Sequence, residues 1–70
     1  MTTLIKEAKT PRFLVIERVN GDGLFTVESY ETPRPDVMYL LNEYRTPDRK
    51  KAGATFNRYL KHCSATYGVL

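Results

Sequence analysis

From Ala52 onward, Phe56, Tyr59, Leu60, Cys63 and Tyr67 follow at offsets of 4, 7, 8, 11 and 15, an unbroken apolar stripe at helical spacing. A helix built this way must lay its stripe on something, and the apolar runs of the preceding segment are the candidate within the sequence. The start is signalled by Thr46 as N-cap, Pro47 at the first helical position and Asp48 in the first turn, which predicts a helix over about 47–67. Gly68 suits the residue just past a helix end, with Val69 and Leu70 folding back on the last turn. Gly53 should cost the helix about 1 kcal/mol relative to Ala, so it implies either the close approach of another backbone or a helix that begins in earnest after it.

The receiving surface is read from "RFLVIERVNGDGLFTVESYE", residues Arg12 to Glu31. Two runs rich in Val, Ile, Phe and Leu flank "NGDG", whose Asn and Gly residues tolerate positive φ, the pattern of an antiparallel β-hairpin over about 12–31. Phe13, Val15 and Val19 share one face, while Leu14 and Ile16 make the other face apolar too, so a second cover is expected from the N-terminal segment or a second subunit. In "TTLIKEAKTP", Leu4, Ile5 and Ala8 fit either a turn of helix or a short third strand ending before Pro11, and strand is the preferred reading. After the hairpin, the prolines of "TPRPD" break the ladder, and Val37, Leu40, Leu41 and Tyr44 recur at i, i+3, i+4 and i+7. That spacing predicts a short helix over about 35–45, with Met38 and Tyr39 making it apolar around most of its circumference. The expected architecture is therefore one α+β domain spanning 1–70, a hairpin with or without a third strand packed against two C-terminal helices.

A domain this small buries only about 60 % of the surface its unfolded chain exposes, and such domains commonly lean on a disulfide, a metal or a partner. Cys63 is the sole cysteine, so no intrachain disulfide forms, and one cysteine with one histidine cannot make a closed structural zinc site. Good packing or self-association is left. With 41 % hydrophobic and 27 % charged residues the chain has the composition of a folded protein, not a disordered tail. No apolar run approaches the roughly 20 residues of a membrane span and no secretory signal opens the sequence, so a cytoplasmic protein is expected.

Charge is unevenly spread. Residues 1–44 carry five basic and seven acidic side chains, whereas residues 45–70 carry six basic and one acidic. On the last helix Lys51, Arg58 and His62 fall on one row, and Lys50, Asn57, Lys61 and Ser64 on the next, both away from the apolar stripe, with Arg45 and Arg49 at the start. Cations gathered on one helix face are the footprint of a nucleic-acid binder, since each phosphate neutralised releases condensed counterion. The competing reading is the solvent side of an ordinary amphipathic helix, although cations in the first turn oppose the helix dipole. The patch does not separate DNA from RNA or from an acidic protein surface.

Met38 and Tyr39 form a second candidate, an apolar patch for a protein interface or a homodimer contact. Catalytic and metal constellations are missing from the pattern. His62 and Cys63 are helix neighbours pointing about 100° apart, too divergent to act as base and nucleophile. "NGDG" joins two strands and lacks the helix N-terminus of a phosphate cradle. No cofactor, metal or catalytic residue is expected. A hairpin beside a basic helix resembles winged DNA-binding modules in outline, and the compactness resembles small accessory proteins of phages and other mobile elements. The expectation is a non-enzymatic binder acting by occupancy, docking through its basic helix on nucleic acid or a nucleic-acid-handling complex, with a protein adaptor or inhibitor working through the apolar patch as the alternative.

Overall fold

A computed structural model describes residues 2–68. Four strands, β1 (Thr3–Lys9), β2 (Phe13–Val19), β3 (Phe25–Arg34) and β4 (Val37–Thr46), form an antiparallel meander in the order β1-β2-β3-β4, followed by one helix, α1 (Arg49–Tyr67). The class is α+β, with one helix in place of the two expected. The helix lies across one face of the sheet, against β2, β3 and β4. The opposite face has no second layer among the described residues.

The β2–β3 hairpin follows from its turn. Gly23 takes a φ of +86°, a value that an L side chain resists, the Asn20 carbonyl accepts from the Gly23 N–H, and the Leu24 carbonyl accepts from the Asn20 N–H. Asp22 closes the loop by accepting from the Leu24 N–H at 3.1 Å. The ladder then runs without a break from Val19↔Phe25 to Phe13↔Glu31. This register sends Phe13, Val15, Glu17, Val27 and Ser29 towards the helix. Phe13, Val15 and Val27 meet Ala52, Phe56 and Cys63 of α1 there to form the core, with Ala8 of β1 and the half-buried Tyr59, Leu60 and Tyr67 packed around it.

The segment expected to form a helix over 35–45 is instead strand β4, and two details explain why. The prolines of "TPRPD" do not interrupt a ladder: Pro33 sits at an irregularity between Glu31 and Arg34, where no pairing hydrogen bond is asked of it, and Pro35 lies with Asp36 in the tight turn between Arg34 and Val37. Further on, Ser29 pairs with Asn42 while Tyr30 pairs with Leu40, so Leu41 is an extra residue, a β-bulge. An extra residue shifts the phase of a period-two pattern. Val37 and Tyr39 share the helix side with Asn42, Tyr44 and Thr46, while Leu40 faces the opposite side and Leu41 is the bulge, so Val37, Leu40, Leu41 and Tyr44 match helical spacing without sharing a face.

The start of α1 also differs from expectation. Asp48, not Thr46, is the N-cap: its Oδ1 accepts from the Lys50 and Lys51 N–H groups at 2.9 and 3.2 Å. Thr46 acts one step earlier, its Oγ1 accepting from the Asp48 N–H at 3.1 Å, and Pro47 precedes the cap. A carboxylate serves better here than a hydroxyl because it also meets the positive end of the helix dipole. Neither explanation offered for Gly53 applies, since the helix already runs through it and no atom from another element lies within 4 Å of where a Cβ would stand. At the other end Gly68 has a φ of +104° and its N–H bonds the Ser64 carbonyl, while the folding back expected of Val69 and Leu70 lies outside the described residues.

Candidate interaction surfaces

The cations of α1 are placed by its packing. Because Ala52, Phe56 and Cys63 are pressed onto the sheet, the residues between them in the helical wheel must face water, and Arg49, Lys50, Lys51, Asn57, Arg58 and Lys61 are all exposed. No Asp or Glu occurs anywhere from Arg49 to Tyr67. Among the described residues, the ion pairs are Arg18–Glu28 and Arg45–Glu43, so none of the five helix cations is neutralised by a carboxylate. Lys50 and Lys61 stand about 16 Å apart along the axis at 1.5 Å per residue, a span held rigid by one helix. Arg58 lies over the ring of Tyr59, 6.0 Å from its centroid, which orients the guanidinium along the helix flank.

Arg45 does not join this surface. It is paired with Thr26 across the ladder, and Thr26 is on the sheet face away from the helix, so the Arg45 side chain points there, 3.7 Å from Glu43. The strand assignment of 37–46 is what separates it from the other cations.

The same alternation divides Met38 from Tyr39. Tyr39 pairs with Glu31 on the helix side, beyond the end of α1, and is 58 % exposed. Met38 points the other way and, with Leu14, Pro11 and Pro33, lines a cleft of about 490 Å³ at the loop end of the open face, with Lys9 and Arg34 at its edge. What unites Met38 and Tyr39 is the strand, not a face. Met38, Tyr39, Leu40 and Leu41 are consecutive exposed large apolar residues on an outer strand, at 54, 58, 53 and 37 % exposure. Leu40 and Leu41 become part of this surface only once the segment is read as a strand; the unbroken apolar run "VMYLL" is the signal that could have marked them.

The open face carries a polar network as well. Arg18 donates to the Glu28 Oε1, and the Tyr30 hydroxyl donates to the Glu28 Oε2 at 3.0 Å. Asn20 donates to the Thr26 hydroxyl at 2.9 Å. On the covered face, Glu17 is only 2 % exposed and its Oε1 has no hydrogen-bond partner, opposite Lys6 of β1, whose ammonium lies 5.6 Å from the centre of the Phe56 ring. His62 is exposed and Cys63 is buried, so the two point into different surroundings, and burial pushes the Cys63 thiol pKa up. The Tyr67 hydroxyl is also raised, by desolvation and then by the nearby Glu31 and Cys63. Among the described residues no three His, Cys, Asp or Glu side chains gather as a metal site, and no helix is long and apolar enough to cross a membrane. No family model, no curated protein and no solved structure matches this chain.

Proposed function

We propose that the protein is a non-enzymatic binder that docks the basic face of α1 on the phosphate backbone of a nucleic acid, alone or within a nucleoprotein complex, and acts by occupying that site. The observation that carries this reading is a rigid 19-residue helix with five exposed cations and no acidic residue to neutralise them. In an ordinary solvated helix, carboxylates are interspersed with lysines at i, i+4, where each pair adds a few tenths of a kcal/mol. Forgoing them here, and setting Arg49, Lys50 and Lys51 against the helix dipole, is reasonable if the charge meets an external anion. Asn57 adds a hydrogen-bonding group to the same face.

The test is titration of the protein into labelled single- and double-stranded DNA and RNA at two salt concentrations. Binding should weaken steeply as salt rises, with a slope that counts the phosphates contacted. The triple variant K51E, R58E, K61E should fold normally, because all three side chains are exposed and only the Arg58 contact with the Tyr59 ring is lost, and should lose binding. Undiminished binding by that variant would sink the proposal. The exposed run Met38–Leu41 favours a second reading, a protein partner engaged through β4, whose complex should be little affected by salt.

A further inference from the structure

The two outer strands of the sheet are built differently. β1, "TLIKEAK", is blunted by a bulge between Leu4 and Lys6 and by the charges of Lys6, Glu7 and Lys9, the devices that keep a free strand edge from pairing with another chain. β4 has ten residues, no proline, and no charge from Val37 to Asn42, with a bulge at Leu41; the second irregularity of its ladder, between Glu31 and Arg34, puts the extra residue on β3. Its outer row of N–H and C=O groups faces no other strand of the sheet.

We infer that β4 is the seam of a homodimer, in which the β4 strands of two copies of this chain pair antiparallel to make one continuous eight-stranded sheet. This inference is independent of the nucleic-acid reading and supplies a partner for the second. The chemistry of a bare strand edge selects another bare strand edge, and among the described residues the unblunted one is β4 itself. The ends of the strand fit the same arrangement. Asp36 flanks its start and Arg45 lies near its end, so antiparallel pairing about Leu40 sets Asp36 of each copy near Arg45 of the other. Parallel pairing would set like charges side by side. A two-fold axis perpendicular to the sheet near Leu40 makes the contact isologous and closed, with Met38, Leu40 and their symmetry mates adjoining on the open face. That axis also keeps both α1 helices on one side. With strands about 4.8 Å apart and each helix lying over β2, β3 and β4, centred on β3, the two basic helices stand roughly 14 Å from one another on a common surface.

Sedimentation equilibrium of the full chain, without nucleic acid and over a range of concentrations, tests the seam directly. The mass should rise from 8.1 kDa towards twice that value and change little with salt. L40K, a charge placed at the seam, should hold the mass at the monomer value, while L4K, the same change on the β1 edge, should leave the dimer intact. Hydrogen exchange on the unmodified protein gives a reading that needs no variant: protection of amides from Val37 to Glu43 should increase with concentration, and those of β1 should not change. A monomer mass at every concentration, or a doubled mass that survives L40K, overturns the inference. Either result leaves the titration of the α1 cations to be judged separately.

Discussion

The two faces of this sheet are made by the same strands and are stabilised in different ways. On the covered face, Phe13, Val15 and Val27 lose all contact with water beneath Ala52, Phe56 and Cys63, and the stabilisation is burial, which is non-directional and roughly proportional to area. On the uncovered face no helix is present, yet Ile16, Thr26 and Glu28 are also buried, here under neighbouring side chains. What orders that face is directional: Arg18 to Glu28, Tyr30 to Glu28, Asn20 to Thr26. The contrast teaches that cohesion is concentrated under α1, while the open face and its β4 border keep their apolar groups available at little cost to the monomer.

The largest expected effect tests that division. Phe56→Ala removes a ring from the centre of the covered core and should cost about 3–5 kcal/mol. For 70 residues the whole stability is about 4–10 kcal/mol, so the variant should lose a large share of it and unfold at a much lower urea concentration by circular dichroism. Leu14→Ala, on the open face and half-buried, should cost only about 1 kcal/mol in urea unfolding. Comparable losses from the two would mean that the open face is covered in solution, and the contrast drawn above would fail.

Next in size is the open-face network. Arg18→Met leaves the buried Glu28 carboxylate with only the Tyr30 hydroxyl, and since Arg18 is itself about one-third exposed the loss should be about 2 kcal/mol, below that of a fully buried pair. The double variant Arg18→Met, Glu28→Met should recover most of it, because the unpaired charge is then gone. A cycle with no coupling between the two positions would show that this face is ordered by packing alone.

How far the molecule can be read from its sequence follows from the same physics. The stripe from Ala52 to Tyr67 and the turn at "NGDG" are legible because each is a local signal: a 3.6-residue period with no break, and glycines where the chain must reverse. The exposed cations of α1 are legible for the same reason, as the complement of the stripe. Strand β4 is not, because its apolar residues lie on both faces and at a bulge defined only by pairing with Ser29 and Tyr30, so Val37, Leu40, Leu41 and Tyr44 mimic a helical stripe without sharing a face. From that single misreading follow the placement of Arg45 beside the helix cations and of Met38 beside Tyr39 on one patch. The burial of Glu17 is hidden for a different reason: alternation puts it on the face of Phe13, Val15 and Val19, but nothing in the sequence says that this face and not that of Leu14 and Ile16 is the one α1 covers.

The smallest expected effect is a pH dependence that belongs to the covered face alone. Burial raises the Cys63 thiol above its ordinary 9.0, so below that pH the thiol is protonated in both the folded and the unfolded chain and contributes no slope. Above it the unfolded chain gives up its proton first, and stability falls with rising pH until the folded thiol also ionises. Tyr67, raised from 10.0, adds a second decline further up the scale. Urea midpoints measured from neutral pH into this range should therefore drop more steeply for the Tyr67→Phe variant than for Tyr67→Phe combined with Cys63→Ala. Equal slopes would place the thiol in contact with water. The same burial makes Cys63 slow to react with a thiol reagent at neutral pH, limited by opening of the helix from the sheet, whereas a cysteine put at Leu14 on the open face should react without waiting for that opening.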